Sequence, residues 1–129
     1  MNAPSDDIKD ILEGLSSLAL TFATDLFVAK RPPLPDQCVT VYDSGGYDPQ
    51  ANDYERPTVQ VIVRGLKGGY RTAYALAKSI KDELHEYANQ TVNSTRYIAI
   101  YTQGDILSLG EDENGRPLLS VNFRIHRTG

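Results

Sequence analysis

Apolar and polar residues alternate with two different periods along this chain, and the switches between them lay out its elements. Ile8, Ile11, Leu12 and Leu15 follow the i, i+3, i+4, i+7 spacing of one helical face. Ser5 stands where an N-cap would, with Asp6 and Asp7 suited to the positive end of a helix. Gly14 weakens this helix and leaves its end open between 14 and 20. A second helical stripe, Tyr70, Ala73, Tyr74, Ala77, Ile80, Leu84 and Tyr87, predicts a helix ending near Asn89, a residue that tolerates a left-handed cap.

Elsewhere the period is two. TDLFVAKR (24–31) reads as a short strand, and the prolines of RPPLPD force extended or turn geometry after it. CVTVY (38–42) places Val39 and Val41 on one face, and TVQVIVRG (58–65) does the same with Val59, Val61 and Val63. RYIAIYT (96–102), DILSLG (105–110) and PLLSVNFRIH (117–126) complete the set; the last turns Leu119, Val121, Phe123 and Ile125 to one side. The Asn-Gly pair in GEDENGR (110–116) is a strong hairpin signal. The order predicts an α+β fold: a mainly antiparallel sheet of about five or six strands, with two helices packed on one face, as a single domain over 1–129.

Composition narrows the class. Of 129 residues, 40% are hydrophobic and 23% charged, as in ordinary globular proteins. No apolar run approaches the roughly 20 residues that span a bilayer, and MNAPSDDIKD lacks the basic and apolar regions of a signal peptide, so the expectation is a protein made in a cytoplasm without a membrane partner. Single Cys38 excludes an intrachain disulfide. The net charge of −4 argues against general nucleic-acid affinity. It is also unevenly placed: four acidic residues against Arg56 leave 42–56 at −3, and four against Arg116 leave 105–116 at −3. The remainder carries +2.

Chemical motifs fare poorly. GLKGGYRT (65–72) precedes a helix and carries Lys67 and Arg71, yet it lacks both the Walker and the dinucleotide glycine order. A small anion-binding enzyme subunit using the 65–71 turn is the alternative this leaves. A calcium loop over 43–55 would place Gly45 and Tyr47 where oxygen ligands belong. One Cys and two distant histidines, His85 and His126, give no zinc spacing. Ser108 lacks the glycines of a nucleophile elbow. No catalytic, cofactor-binding or metal-binding residue is predicted. Tyr47 and Tyr54 stand out, because they sit inside a polar, acidic stretch. They either fold back over the sheet or serve as contact residues, a role tyrosine suits.

VTVYDSGGYDP, YERPTVQVIVRG, YRTAYALAKSIKDEL and GDILSLGEDENGRPLLSVNFRIHRT together resemble the tail-terminator, or tail-completion, neck proteins of tailed bacteriophages, often labelled minor capsid proteins. The similarity runs from the first helix to the last strand. It implies a non-enzymatic virion protein, assembled in the host cytoplasm as a homo-oligomeric ring, commonly hexameric. Such a ring caps the tail tube protein, meets the head–tail connector, and lets DNA pass through its lumen unread. A connector-side neck protein or a tube-like subunit shares the same plan. The stretch 40–59 then reads as a long hairpin connection used as an assembly arm, with Tyr47, Asp48 and Tyr54 as contact residues. Glu111, Asp112 and Asn114 form a second docking tip, and Arg64 and Arg124 are candidate interface cations.

Overall fold

The computed structural model describes residues 1–51 and 53–129; Asn52, within the expected assembly arm, lies outside the described residues. Along the chain come α1 (Pro4–Gly14), β1 (Leu26–Val28), β2 (Cys38–Ala51), β3 (Tyr54–Arg64), α2 (Tyr70–Leu84), β4 (Tyr87–Val92), β5 (Thr95–Thr102), β6 (Leu107–Glu111) and β7 (Pro117–Thr128). All seven strands join one sheet in the order β1-β2-β3-β7-β5-β4, with β6 also paired to β7. The fold is α+β. The sheet is mixed, because β1 runs parallel to β2 while every other pairing is antiparallel.

The period-two pattern does what it predicts in the centre of the sheet. Val39 pairs with Val63, and Val63 with Leu119; Val41 pairs with Val61, and Val61 with Val121. These residues are fully buried, as are Val59, Phe123 and Ile125 on the same face. Ile8 and Leu12 of α1, and Ala73, Ala77, Ile80 and Leu84 of α2, close the same cluster. Two alanines on α2 let its backbone approach the strands. Gly65, at the turn before α2, takes this furthest: a Cβ there would stand 2.8 Å from Ala73 Cβ and 3.0 Å from Pro117 Cγ.

Several local expectations are corrected. Ser5 is not the N-cap: α1 starts at Pro4 with Ala3 before it and no side-chain cap. The Ser5 amide and hydroxyl instead donate to Asp43 of β2 at 2.9 and 2.7 Å. A carboxylate from the sheet thus meets one free amide of the helix start. The strand over 24–31 shrinks to three residues, bounded by left-handed Ala23 and Ala29 (φ 69° and 60°). The second helix ends at Leu84, not near Asn89, because His85 is extended and the left-handed Glu86 donates its amide to Ile100 O. Asn89 is indeed left-handed (φ 55°), but within β4. Tyr87 belongs to that strand, and Tyr70 and Tyr74 stay exposed, so the buried stripe of α2 is narrower than its apolar pattern. β4 itself, YANQTV, has too few apolar residues to register as a strand.

The stretch 40–59 is a long antiparallel hairpin, as expected, and it is paired along most of its length: β2 continues to Ala51 and β3 starts at Tyr54, with irregularities between Asp43 and Gly46 and between Tyr47 and Ala51. Gly45 and Gly46 (φ 89° and 137°) make the first bulge. At Gly46 a Cβ would fall 2.5 Å from Arg56 O, so the crossing backbone excludes any side chain.

Candidate assembly surface

The face of the sheet away from the helices is covered at one end only. There the proline loop after β1 lies across it, held by two buried arginines. Arg64 donates to the carbonyls of Pro32, Pro35 and Asp36 at 2.6–2.9 Å. Arg116 donates to Pro33 O and pairs with Asp36 and Asp112 at 3.1 and 2.8 Å. Arg64, a predicted interface cation, is therefore 2% exposed and spent within the chain. Asp112 is likewise engaged: its carboxylate accepts the amide of Arg116 and then that of Asn114, and these bonds hold its pKa below the usual carboxylate value. It shapes the β6–β7 turn, and leaves Glu111, Glu113 and Asn114 exposed around it.

Farther along the same face, register assembles a patch from four strands. Thr58 of β3 pairs with Arg124 of β7, which pairs with Tyr101 of β5. The Arg124 guanidinium lies 5.4 Å from the Tyr101 ring centre, and that of Arg56 lies 5.6 Å from Tyr47. His126 stands between them, edge-on to Tyr54 and Tyr101, with the Tyr54 hydroxyl 2.9 Å from its Nδ1. Burial, then the positive charge of Arg124 and Arg56, lowers the His126 pKa. A depression of about 230 Å³ is lined by Tyr47, Arg56, Arg124, Ile125 and His126.

The two predicted arm tyrosines thus diverge. Tyr54 folds back onto the sheet through His126, whereas Tyr47 is 51% exposed. Asp48 is exposed, and its carbonyl accepts from Arg56 at 2.7 Å, which stiffens the arm. Tyr47, Tyr54 and Arg124 come together; Glu111 and Asn114 lie with Asp112 at the far end of β7. Tyr101 and Arg56 were not singled out by sequence reasoning. Only the register of β5 on β7, with an irregularity between Tyr97 and Ala99, brings Tyr101 beside Arg124.

On the helix side, a polar cluster fastens α1 to the strand ends. Asp7, fully buried, accepts from the Tyr97 hydroxyl and from Asn93. Arg127 lies 3.6 Å from Asp7 and pairs with Glu55 of the arm at 2.7 Å. Beside it, a groove of about 440 Å³ runs between the arm and the start of α1, past Pro4, Asp43, Tyr47 and Glu55. The last free feature is β6. It is exposed along its whole length, pairs with β7 on one side only, and presents Leu107 and Leu109 to solvent. Among the described residues, no group of three His, Cys, Asp or Glu side chains is placed to hold a metal ion. Nor, among the described residues, is any helix long and apolar enough to cross a membrane.

These features define an α+β protein whose distinguishing chemistry lies on its outer surface rather than in a cleft. The chain belongs to the family described as bacteriophage tail terminator protein, whose model matches residues 14–128. It is a structural protein of the phage virion, associated with the tail. In fold it is similar to a solved chain from the virion of a native gene transfer agent particle, with a TM-score of 0.76 and 16% identity over 98% of this chain and 96% of that one. A second solved chain matches with a TM-score of 0.54 and 14% identity, over 95% of this chain and 90% of that one. At such identities the likeness concerns the fold alone. A search of curated proteins gives no match.

Proposed function

We propose that this protein works as one domain, 1–129, that assembles into a ring, commonly six copies in such proteins. The ring caps the finished tail tube and presents its other side to the head connector. The observation that carries this reading is the family match over 14–128. The surface fits the role: an open strand edge at β6, an exposed Tyr47 on a braced arm, and a half-bare sheet face all invite contacts between subunits. Tyr47 and Asp48 on the arm, and Glu111 and Asn114 at the β6–β7 tip, supply the docking elements, with Tyr54 and Asp112 bracing them from within. Arg124 supplies the interface cation, while Arg64 braces the scaffold instead. A net charge of −4 keeps a DNA conduit from gripping phosphates. The ring forms in the host cytoplasm and travels in the virion.

The test is mass by light scattering across a concentration series, with negative-stain imaging of the largest species and of its mixture with tail tubes. Rings with an open centre, seated on tube ends, are the expected result. A protein that neither self-associates nor binds tube ends would overturn the reading.

A further inference from the structure

Two sets of charges stand toward opposite ends of β7. Among the described residues, neither Arg56 nor Arg124 forms an ion pair, and neither does Glu111 or Glu113. The cations are not loose on the surface. Arg56 is tied to Asp48 O and stacked by Tyr47, and Arg124 is stacked by Tyr101, so both guanidiniums are held beside one depression that His126 also lines. The carboxylates are positioned too. They flank a turn closed by Asp112 N to Arg116 O at 2.9 Å and braced by the ion pair of Asp112 with buried Arg116.

The two sets cannot meet within one molecule. Arg124 lies seven residues along β7 from Pro117, which pairs with Glu111, and a strand of that length spans about 23 Å. A patch at one end of a strand and its complement at the other is the layout of a head-to-tail contact, which closes into a ring when each copy is rotated against the last. We infer that the Arg56–Arg124 aromatic patch of one copy receives the Glu111–Glu113 turn of the next, with exposed Leu109 of β6 packing beside the tyrosine rings. This rests on the ring reading above and names the contact that builds the ring. Nucleic acid is the weaker occupant, because two guanidiniums on a chain of net charge −4 offer few phosphate contacts.

The experiment is charge reversal with rescue. Assembly of the full chain is measured by light scattering for wild type, Arg124→Glu, Glu111→Lys/Glu113→Lys, and the combined triple variant, with melting curves to confirm folding. Arg124→Gln stands in if Arg124→Glu does not fold. Each reversal alone should weaken association about tenfold or more, and the triple variant should recover most of it. Rings that form normally in the reversed variants, or a triple variant no better than either parent, would overturn the inference and leave the ring reading standing. A wild-type chain that remains monomeric at every concentration would overturn both. Duplex DNA binding that is lost in Arg124→Glu while assembly is kept would reassign the patch to phosphate.

Discussion

Replacing Tyr97 by Phe tests how α1 is held to the sheet. Tyr97 is fully buried, and its hydroxyl donates to Asp7 Oδ2 while accepting from Arg127 Nη1 at 3.2 Å. Phe keeps the ring and removes only these two bonds. A hydrogen bond to a charged group contributes roughly 1.5–3 kcal/mol. Asp7 retains Asn93 at 2.8 Å, and Arg127 retains Glu55 and Asn2 O, so the lower part of that range applies, about 2 kcal/mol. At roughly 2.1 cal/mol/K of unfolding entropy per residue, a chain of 129 residues loses about 7 °C in Tm. Thermal and urea melts measure this directly. A double-mutant cycle with Asp7→Asn should give a coupling of about 1–2 kcal/mol, since the groups touch. Alkaline pH offers a second readout. Burial, followed by the bond to Asp7, raises the Tyr97 pKa above its ordinary value of 10.0. The unfolded chain then gives up this proton more readily than the folded one, so wild-type stability is intact below pH 10 and falls as pH rises beyond it. Tyr97→Phe should fall less steeply. A variant melting within about 2 °C of wild type, with costs that simply add, would refute the clamp.

Three further outcomes are expected. Ser120→Ala should be neutral or stabilising in urea melts, because the Ser120 hydroxyl is buried on the outer face without a partner among the described residues; a loss above about 1 kcal/mol would reveal a bond that the geometry does not contain. Gly65→Ala should cost about 1–3 kcal/mol, since its Cβ would press on Ala73 and Pro117 where α2 leaves the sheet; an unchanged Tm would mean the turn yields freely. The depressed pKa of His126 should make wild-type stability, complete above pH 6.5, decline as pH falls below it, because the unfolded chain there binds the proton more readily. His126→Gln should flatten that slope, and an equally steep slope in the variant would place its origin elsewhere.

Part of this molecule is written in local pattern. The central strands and both helices follow from period-two and period-3.6 spacing, because each must bury one face and the choice of face is set residue by residue. The β6–β7 hairpin follows from Asn114–Gly115, and the uneven charge is visible by counting. Other features have no local cause. β4 is held by pairing with β5 rather than by its own side chains, and the acidic stretch after Tyr42 becomes ladder because β3 and β7 continue beside it. Ser5 loses its capping role to Asp43, which lies 38 residues away. Arg64 and Arg124 alternate on the same outer face in sequence terms, yet one is buried under the proline loop and the other stands free. What covers a strand at each end depends on where distant segments return, and only tertiary packing decides that. The patch of Tyr47, Arg56, Tyr101, Arg124 and His126 is of this second kind. Its residues come from four strands, and the register between those strands, including the shifts at Asp43/Gly46 and Tyr97/Ala99, is what makes them neighbours.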